Sequence, residues 1–110
     1  ALNKKIDEWR ADWESKDIDR YLKHYSSNFK TSDQTLEQYA QQKRQVNIGK
    51  EWIKVKLSNI SMFRDPGQEE LVIVTFEQDY KSNNLNNQMK KRQYWAREGS
   101  TWKIIYEGAA

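Results

Sequence analysis

His24 is the only histidine in the chain, and an imidazole is the side chain best suited to move protons near neutral pH. Helical spacing sets it beside Lys23 and away from Tyr21 and Tyr25, so the expectation is a solvated surface histidine with no second ligand at metal-site spacing. Cysteine is absent, which removes thiolate metal sites, disulfides and cysteine nucleophiles from these residues. Asp12, Asp17, Asp19 and Glu107 are the carboxylates nearest the place where helices and sheet should meet. Asp17 suits a helix cap, and none of the four receives a catalytic role. No catalytic residue, metal site or cofactor is therefore assigned.

Binding chemistry is better represented. Gln78, Tyr80, Lys91, Gln93 and Trp95 fall on one side of adjacent strands, opposite the helical residues Trp13, Tyr21 and Tyr25. Amides, phenols and an ammonium group set among rings suit a polar ligand with apolar faces, such as a sugar or a peptide segment. The alternative is that Gln78 and Gln93 pair across strands and the rings only pack. Lys90-Lys91-Arg92 is the densest basic run, yet strand alternation sends Lys91 inward and leaves Lys90 and Arg92 outside near Glu77 and Asp79. With a net charge of +3, interspersed signs and no recognisable motif, nucleic acid is not expected as a partner. Asn59-Ile60-Ser61 fits a glycosylation pattern only by chance.

The elements that must hold these groups follow from periodicity. Leu2, Ile6, Trp9 and Trp13 recur at three- and four-residue spacing, which predicts an amphipathic helix. Asp17 caps a second helix, in which Ile18, Tyr21, Leu22 and Tyr25 repeat the spacing until Ser26-Ser27-Asn28 ends it. Thr35 and Gln38 form a capping box for a third helix that faces Leu36, Tyr39, Ala40 and Val46 inward, exposes its polar far end and closes at Gly49. The pattern then alternates, predicting a strand at Ile53-Val55-Leu57, a turn at Asp65-Pro66-Gly67-Gln68 and a strand from Leu71 to about Ser82. A loop at 83–88 leads to a strand over 89–97, and a turn at Glu98-Gly99-Ser100 leads to the last strand, 101–107. The prediction is an α+β domain with three helices followed by about four antiparallel strands.

A turn at Gly99-Ser100 pairs Arg97 with Trp102 and Trp95 with Ile104. The core face then holds Gln93, Trp95, Trp102, Ile104 and Tyr106, and the outer face holds Arg92, Tyr94, Lys103, Ile105 and Glu107. Val72, Val74, Phe76, Gln78 and Tyr80 face inward on the preceding strand. The outer residues Ile73, Thr75, Tyr94 and Ile105 form a candidate homodimer or interdomain surface, or an ordinary solvated face.

Composition agrees with a folded domain whose apolar content is concentrated in rings. Mean hydropathy is −1.11, yet the chain carries five Trp, six Tyr and three Phe. Its 110 residues fit a single domain, and no apolar run approaches the length that spans a bilayer, so membrane insertion is not expected. The start without Met and the Gly-Ala-Ala end read as a domain over 1–110 excised from a longer protein.

Trp9 with Asp12-Trp13, Lys16-Asp17 through Tyr21, Tyr25 to Phe29, Thr75 to Ser82, Lys91 to Trp95 and Trp102-Lys103-Ile104 together resemble the nuclear-transport-factor-2-like, or SnoaL-like, cone fold. The chain looks most like the C-terminal domain of bacterial L,D-transpeptidase-related envelope proteins. That resemblance implies a cleft open at one end of the cone and an accessory, non-catalytic domain in the periplasm. It implies as partner a peptidoglycan fragment or a protein segment, and association of such domains through their sheets. The wider fold also includes small-molecule enzymes and binders of the SnoaL type, which is the competing expectation. Their pocket carboxylate and hydrogen-bond donors have no residue-by-residue match here.

Overall fold

The apolar stripe of Leu2, Ile6, Trp9 and Trp13 forms one face of α1 (Leu2–Glu14), with Ile6 and Trp9 fully buried. The computed structural model describes residues 2–110. Lys16 adopts a left-handed conformation (φ 64°) that turns the chain into α2 (Ile18–Leu22). Asp17 caps α2 by accepting from the Arg20 amide at 3.2 Å. Helix α3 (Leu36–Ile48) opens with the predicted capping box between Thr35 and Gln38.

Helix α2 stops at Leu22 instead of reaching Tyr25. Residues Tyr25–Lys30 form a strand, β1, in which Tyr25 and Phe29 are buried and Ser27 and Asn28 exposed. The sheet is therefore five-stranded, not four-stranded, and mixed, not wholly antiparallel. Its other strands are β2 (Ile53–Asp65), β3 (Gln68–Ser82), β4 (Asn86–Glu98) and β5 (Thr101–Ala109), in the order β1-β5-β4-β3-β2. β1 runs parallel to β5, with Tyr25 opposite Ile104, and the remaining neighbours are antiparallel. The loop expected at 83–88 is shorter, because β4 already begins at Asn86.

Alternation on β3 is as predicted, with Val72, Val74, Phe76, Gln78 and Tyr80 buried. β5 departs from it. Tyr94 pairs with Tyr106 while Trp95 pairs with Ile104, so Ile105 is an extra residue in a β-bulge. The bulge shifts facing by one residue beyond Ile104, which turns Glu107 into the core and Tyr106 out against Tyr94, with ring centroids 5.1 Å apart. The expected assignment of Tyr106 inside and Glu107 outside is thereby reversed. On the outer face Phe63, Ile73, Tyr94 and Tyr106 align as one cross-strand row.

Helices and sheet meet around Ile6, Trp9, Tyr21, Tyr25, Phe29, Tyr39, Val74, Phe76, Trp95 and Ile104. Aromatic rings outnumber aliphatic side chains among these residues, and apolar area removed from water stabilises by roughly 25 cal/mol per Å². Each fully buried indole N–H is satisfied, Trp9 by the Tyr25 hydroxyl at 3.1 Å and Trp95 by the Gln93 amide oxygen at 3.0 Å. Edge strand β2 is held from above, where Glu14 Oε2 accepts from the Val55 amide at 2.8 Å.

Candidate functional site

A cavity of about 230 Å³ opens between the end of α1, α2, α3 and the β3–β4 half of the sheet. Trp13 forms one wall, with its ring centroid 5.2 Å from Tyr80 and 5.6 Å from Tyr21. Gln78, Tyr80 and Lys91 come from the sheet, placed there by the alternation that carries apolar residues further along the same strands. Trp13, Tyr21, Gln78, Tyr80 and Lys91 of the predicted set thus meet at one cavity.

Tyr25, Gln93 and Trp95 do not line it. All three are buried, Gln93 and Trp95 at 0% exposure, in a layer behind the cavity wall. Gln78 and Gln93 are also not cross-strand partners, since Gln78 lies opposite Met89 and Gln93 opposite Val74. What Tyr25 and Gln93 contact instead is Glu107. Its Oε1 accepts from the Tyr25 hydroxyl at 3.0 Å and the Gln93 amide at 2.8 Å, and its Oε2 accepts from the Tyr39 hydroxyl at 2.6 Å and Lys91 Nζ at 3.4 Å. Each phenol has one proton, so with Tyr25 and Tyr39 donating to the carboxylate, Tyr21 donates in turn to the Tyr39 hydroxyl at 3.1 Å.

Burial alone would raise the Glu107 pKa. The charges of Lys91 and Lys43 and the hydrogen bonds from Tyr39 and Gln93 outweigh it and hold the group below the ordinary carboxylate value. Burial and the Glu107 charge in turn push the phenols of Tyr25 and Tyr39 well up and keep them protonated. Glu107 is an ionised anchor under the cavity, with both oxygens occupied.

Lysines outnumber carboxylates in the lining. Lys43 lies on the inward face of α3, one turn after Tyr39, with its Nζ 5.5 Å from the Trp13 ring centroid and 5.2 Å from that of Tyr39. Lys50 is buried, donates to Ser82 Oγ at 3.1 Å and to Asn84 Oδ1, and stands 5.8 Å over the Tyr80 ring. The sequence reading missed both, and it counted Glu107 among the carboxylates near the cleft but set it on the outer face. The i, i+4 relation to Tyr39 marks Lys43, but the surrounding run of polar residues hides it. Val46, expected inward, touches the cavity and is nevertheless 46% exposed at its rim.

The carboxylates at the rim are engaged. Asp17 is the α2 cap, and Asp12 faces Arg20 at 3.3 Å and His24 Nε2 at 2.7 Å. His24 is not a solvated surface residue, because it lies in the short connection between α2 and β1 and is buried there. Desolvation lowers its pKa against the opposing effect of the Asp12 hydrogen bond, so it is neutral at pH 7. Its Nδ1 and the amide oxygen of Gln78 are the two buried side-chain polar atoms without a hydrogen-bond partner among the described residues.

Comparison with known proteins places this architecture. Bd1075 of Bdellovibrio bacteriovorus is 28% identical and superposes with a TM-score of 0.89, over 99% of this chain and 38% of that one. The helical cell shape determining protein Pgp2 of Campylobacter jejuni is also 28% identical, with a TM-score of 0.78 over 94% of this chain and 38% of its own. The chain thus spans well under half the length of either protein. An NTF2-like protein of unknown function from Pseudomonas putida KT2440, 13% identical, shares the fold with a TM-score of 0.79 over 96% of this chain and 80% of that one. No curated protein matches the chain. The model of the Cds6 C-terminal NTF2-like domain matches residues 1–108, and the chain belongs to that family of cone-fold domains.

Proposed function

We propose that the chain is a non-catalytic binding domain of a bacterial cell-envelope protein, and that its cavity takes a polar segment of peptidoglycan, either glycan or peptide. The observation that carries this reading is Gln78. The residue is 5% exposed, it lines the cavity, and its amide oxygen has no hydrogen-bond partner among the described residues. Leaving such an atom unsatisfied costs about 1–3 kcal/mol, which a ligand donor would recover. Around it, the Trp13 and Tyr80 rings offer stacking surface, and the amines of Lys43 and Lys50 favour a ligand that carries carboxylates.

A binding role is supported over SnoaL-type enzyme chemistry by the state of the acids and bases. Glu107 has both oxygens occupied and lies behind the lining, His24 lies outside it, Asp12 is paired with Arg20 and His24, and Asp17 is an exposed helix cap with no burial to raise its basicity. A general base needs a free lone pair within reach of the substrate. The similarity to Pgp2, named for determining helical cell shape, fits a place in the envelope, which we assign as periplasmic.

Titration of the protein with soluble peptidoglycan fragments, followed by tryptophan fluorescence, tests the reading because Trp13 forms a cavity wall. A saturable change that is lost in Tyr80→Ala is expected. A folded protein that gives no response to the fragments overturns it.

A further inference from the structure

The sheet ends on β1 at one side and on β2, the longer strand, at the other. One contact shows how the backbone of β2 is oriented. The Val55 amide donates to Glu14 Oε2 at 2.8 Å, so it points away from β3, and Val55 with its partner Tyr80 is a pair that exchanges no ladder bonds. Antiparallel alternation makes Leu57 with Gln78, two residues on, another such pair. The Leu57 amide and the carbonyls of Val55 and Leu57 therefore face the open edge. Beside them a hollow of about 320 Å³ lies between α1 and β2, with Ile6, Asp7 and Arg10 on one side and Leu57 and Ile60 on the other. Ile60 is 43% exposed there.

We propose that this edge takes an extended peptide as a sixth strand, one whose residues alternate between apolar and acidic. Strand addition satisfies outward-facing backbone groups through main-chain bonds and leaves selection to alternate side chains. On the inward face the hollow accepts an apolar side chain against Ile6, Leu57 and Ile60, and its Arg10 is already paired with Asp7 and Glu14. The outward face carries Lys54 and Lys56, both exposed, with Lys81 and Asp79 respectively opposite them on β3. Three cations against one anion favour acidic residues in the added strand, since opposite charges directly across a strand pair attract. The same lysines argue against a second copy of the chain. An antiparallel pair centred on Val55 or Lys56 sets lysine opposite lysine, and one centred on Leu57 runs into the bulge between Ser58 and Ser61. This inference goes beyond the binding role proposed above and does not rest on it, because the edge hollow and the cavity are lined by different residues.

The test adds a short acetylated and amidated peptide of alternating valine and glutamate to the nitrogen-15-labelled protein and follows the backbone amide resonances, with a valine–lysine peptide for comparison. Saturable shifts at Leu57 and Ile60 and slowed hydrogen exchange of the Leu57 amide are expected with the glutamate peptide, and binding roughly tenfold weaker with the lysine peptide. Combining Lys54→Glu with Lys56→Glu should reverse that order, and methylating the peptide amides that face β2 should abolish binding. No shift with the glutamate peptide, equal binding of the two peptides, or binding that survives methylation overturns the proposal. Protection of Leu57 that grows with protein concentration in the absence of peptide assigns the edge to a second copy and overturns it as well.

Discussion

The hydroxyl of Tyr39 on α3 lies 2.6 Å from Oε2 of Glu107 on β5, and this contact joins the third helix to the last strand across 68 residues of sequence. Glu107 in turn holds Tyr25, Gln93 and Lys91, so one carboxylate organises the layer beneath the cavity. Removing it leaves Lys91 buried without its anion. Glu107→Ala should therefore cost about 3–5 kcal/mol, and Tyr39→Phe, which deletes one hydrogen bond to a charged group, about 1.5–3 kcal/mol. Urea unfolding measures both. A neutral Tyr39→Phe would mean that the phenol does not carry the helix.

The same carboxylate sets an acid limit. Its folded pKa lies below the ordinary 4.5 despite burial, because Lys91, Lys43, Tyr39 and Gln93 favour the charged form. The resulting stabilisation is complete above the unfolded value and is lost as pH falls through the folded one. Stability measured by urea from pH 7 downwards should fall in this window, and the fall should shrink in Glu107→Gln. An unchanged acid profile in that variant would assign the acid sensitivity to other groups.

How far the sequence reaches is set by how local each determinant is. The α1 stripe, the Thr35–Gln38 capping box and the inward set on β3 each depend on neighbours within a few residues, and all three appear as predicted. β1 depends on parallel pairing with a strand some 80 residues away, and Tyr21 with Tyr25 at i, i+4 imitates a helix continuing through the boundary. The inward facing of Glu107 was hidden for a different reason. A single bulged residue, Ile105, inverts every facing assignment after it, and nothing in Ile104-Ile105-Tyr106 marks which residue bulges. Gln78, Tyr80 and Lys91 of the candidate site were legible from alternation on β3 and β4, and Trp13 and Tyr21 from helical spacing. The lysines of α3 and of the α3–β2 connection were not, because a charged residue on a polar run gives no apolar signal.

Gln78 links stability to binding in opposite directions. Its buried, unpartnered amide oxygen destabilises the free protein, and Met has similar length without the polar group. Gln78→Met should raise the unfolding free energy by about 1 kcal/mol while weakening the fluorescence response to peptidoglycan fragments several-fold. A variant that loses stability would show that the amide is satisfied in solution. One that binds fragments unchanged would remove Gln78 from the site.

Lys16 tests whether the turn beside the cavity is strained. A φ of 64° costs a side-chain-bearing residue about 1 kcal/mol that glycine does not incur, because glycine has no Cβ to meet the following carbonyl. The backbone itself is needed here, since the Lys16 carbonyl accepts from Asn47 Nδ2 at 2.8 Å and ties the α1–α2 turn to α3. Glycine keeps that bond, but it also gives the unfolded chain more freedom, which offsets part of the gain. Comparing two truncations isolates the backbone term, because both remove the amine and its long contact to the Lys50 carbonyl. Lys16→Gly should be more stable than Lys16→Ala by about 0.5–1 kcal/mol, the reverse of their order within a helix. Thermal unfolding of the pair decides it. If alanine is the more stable, the turn relaxes to negative φ in solution, and the wall that Lys16 contributes to the cavity moves with it.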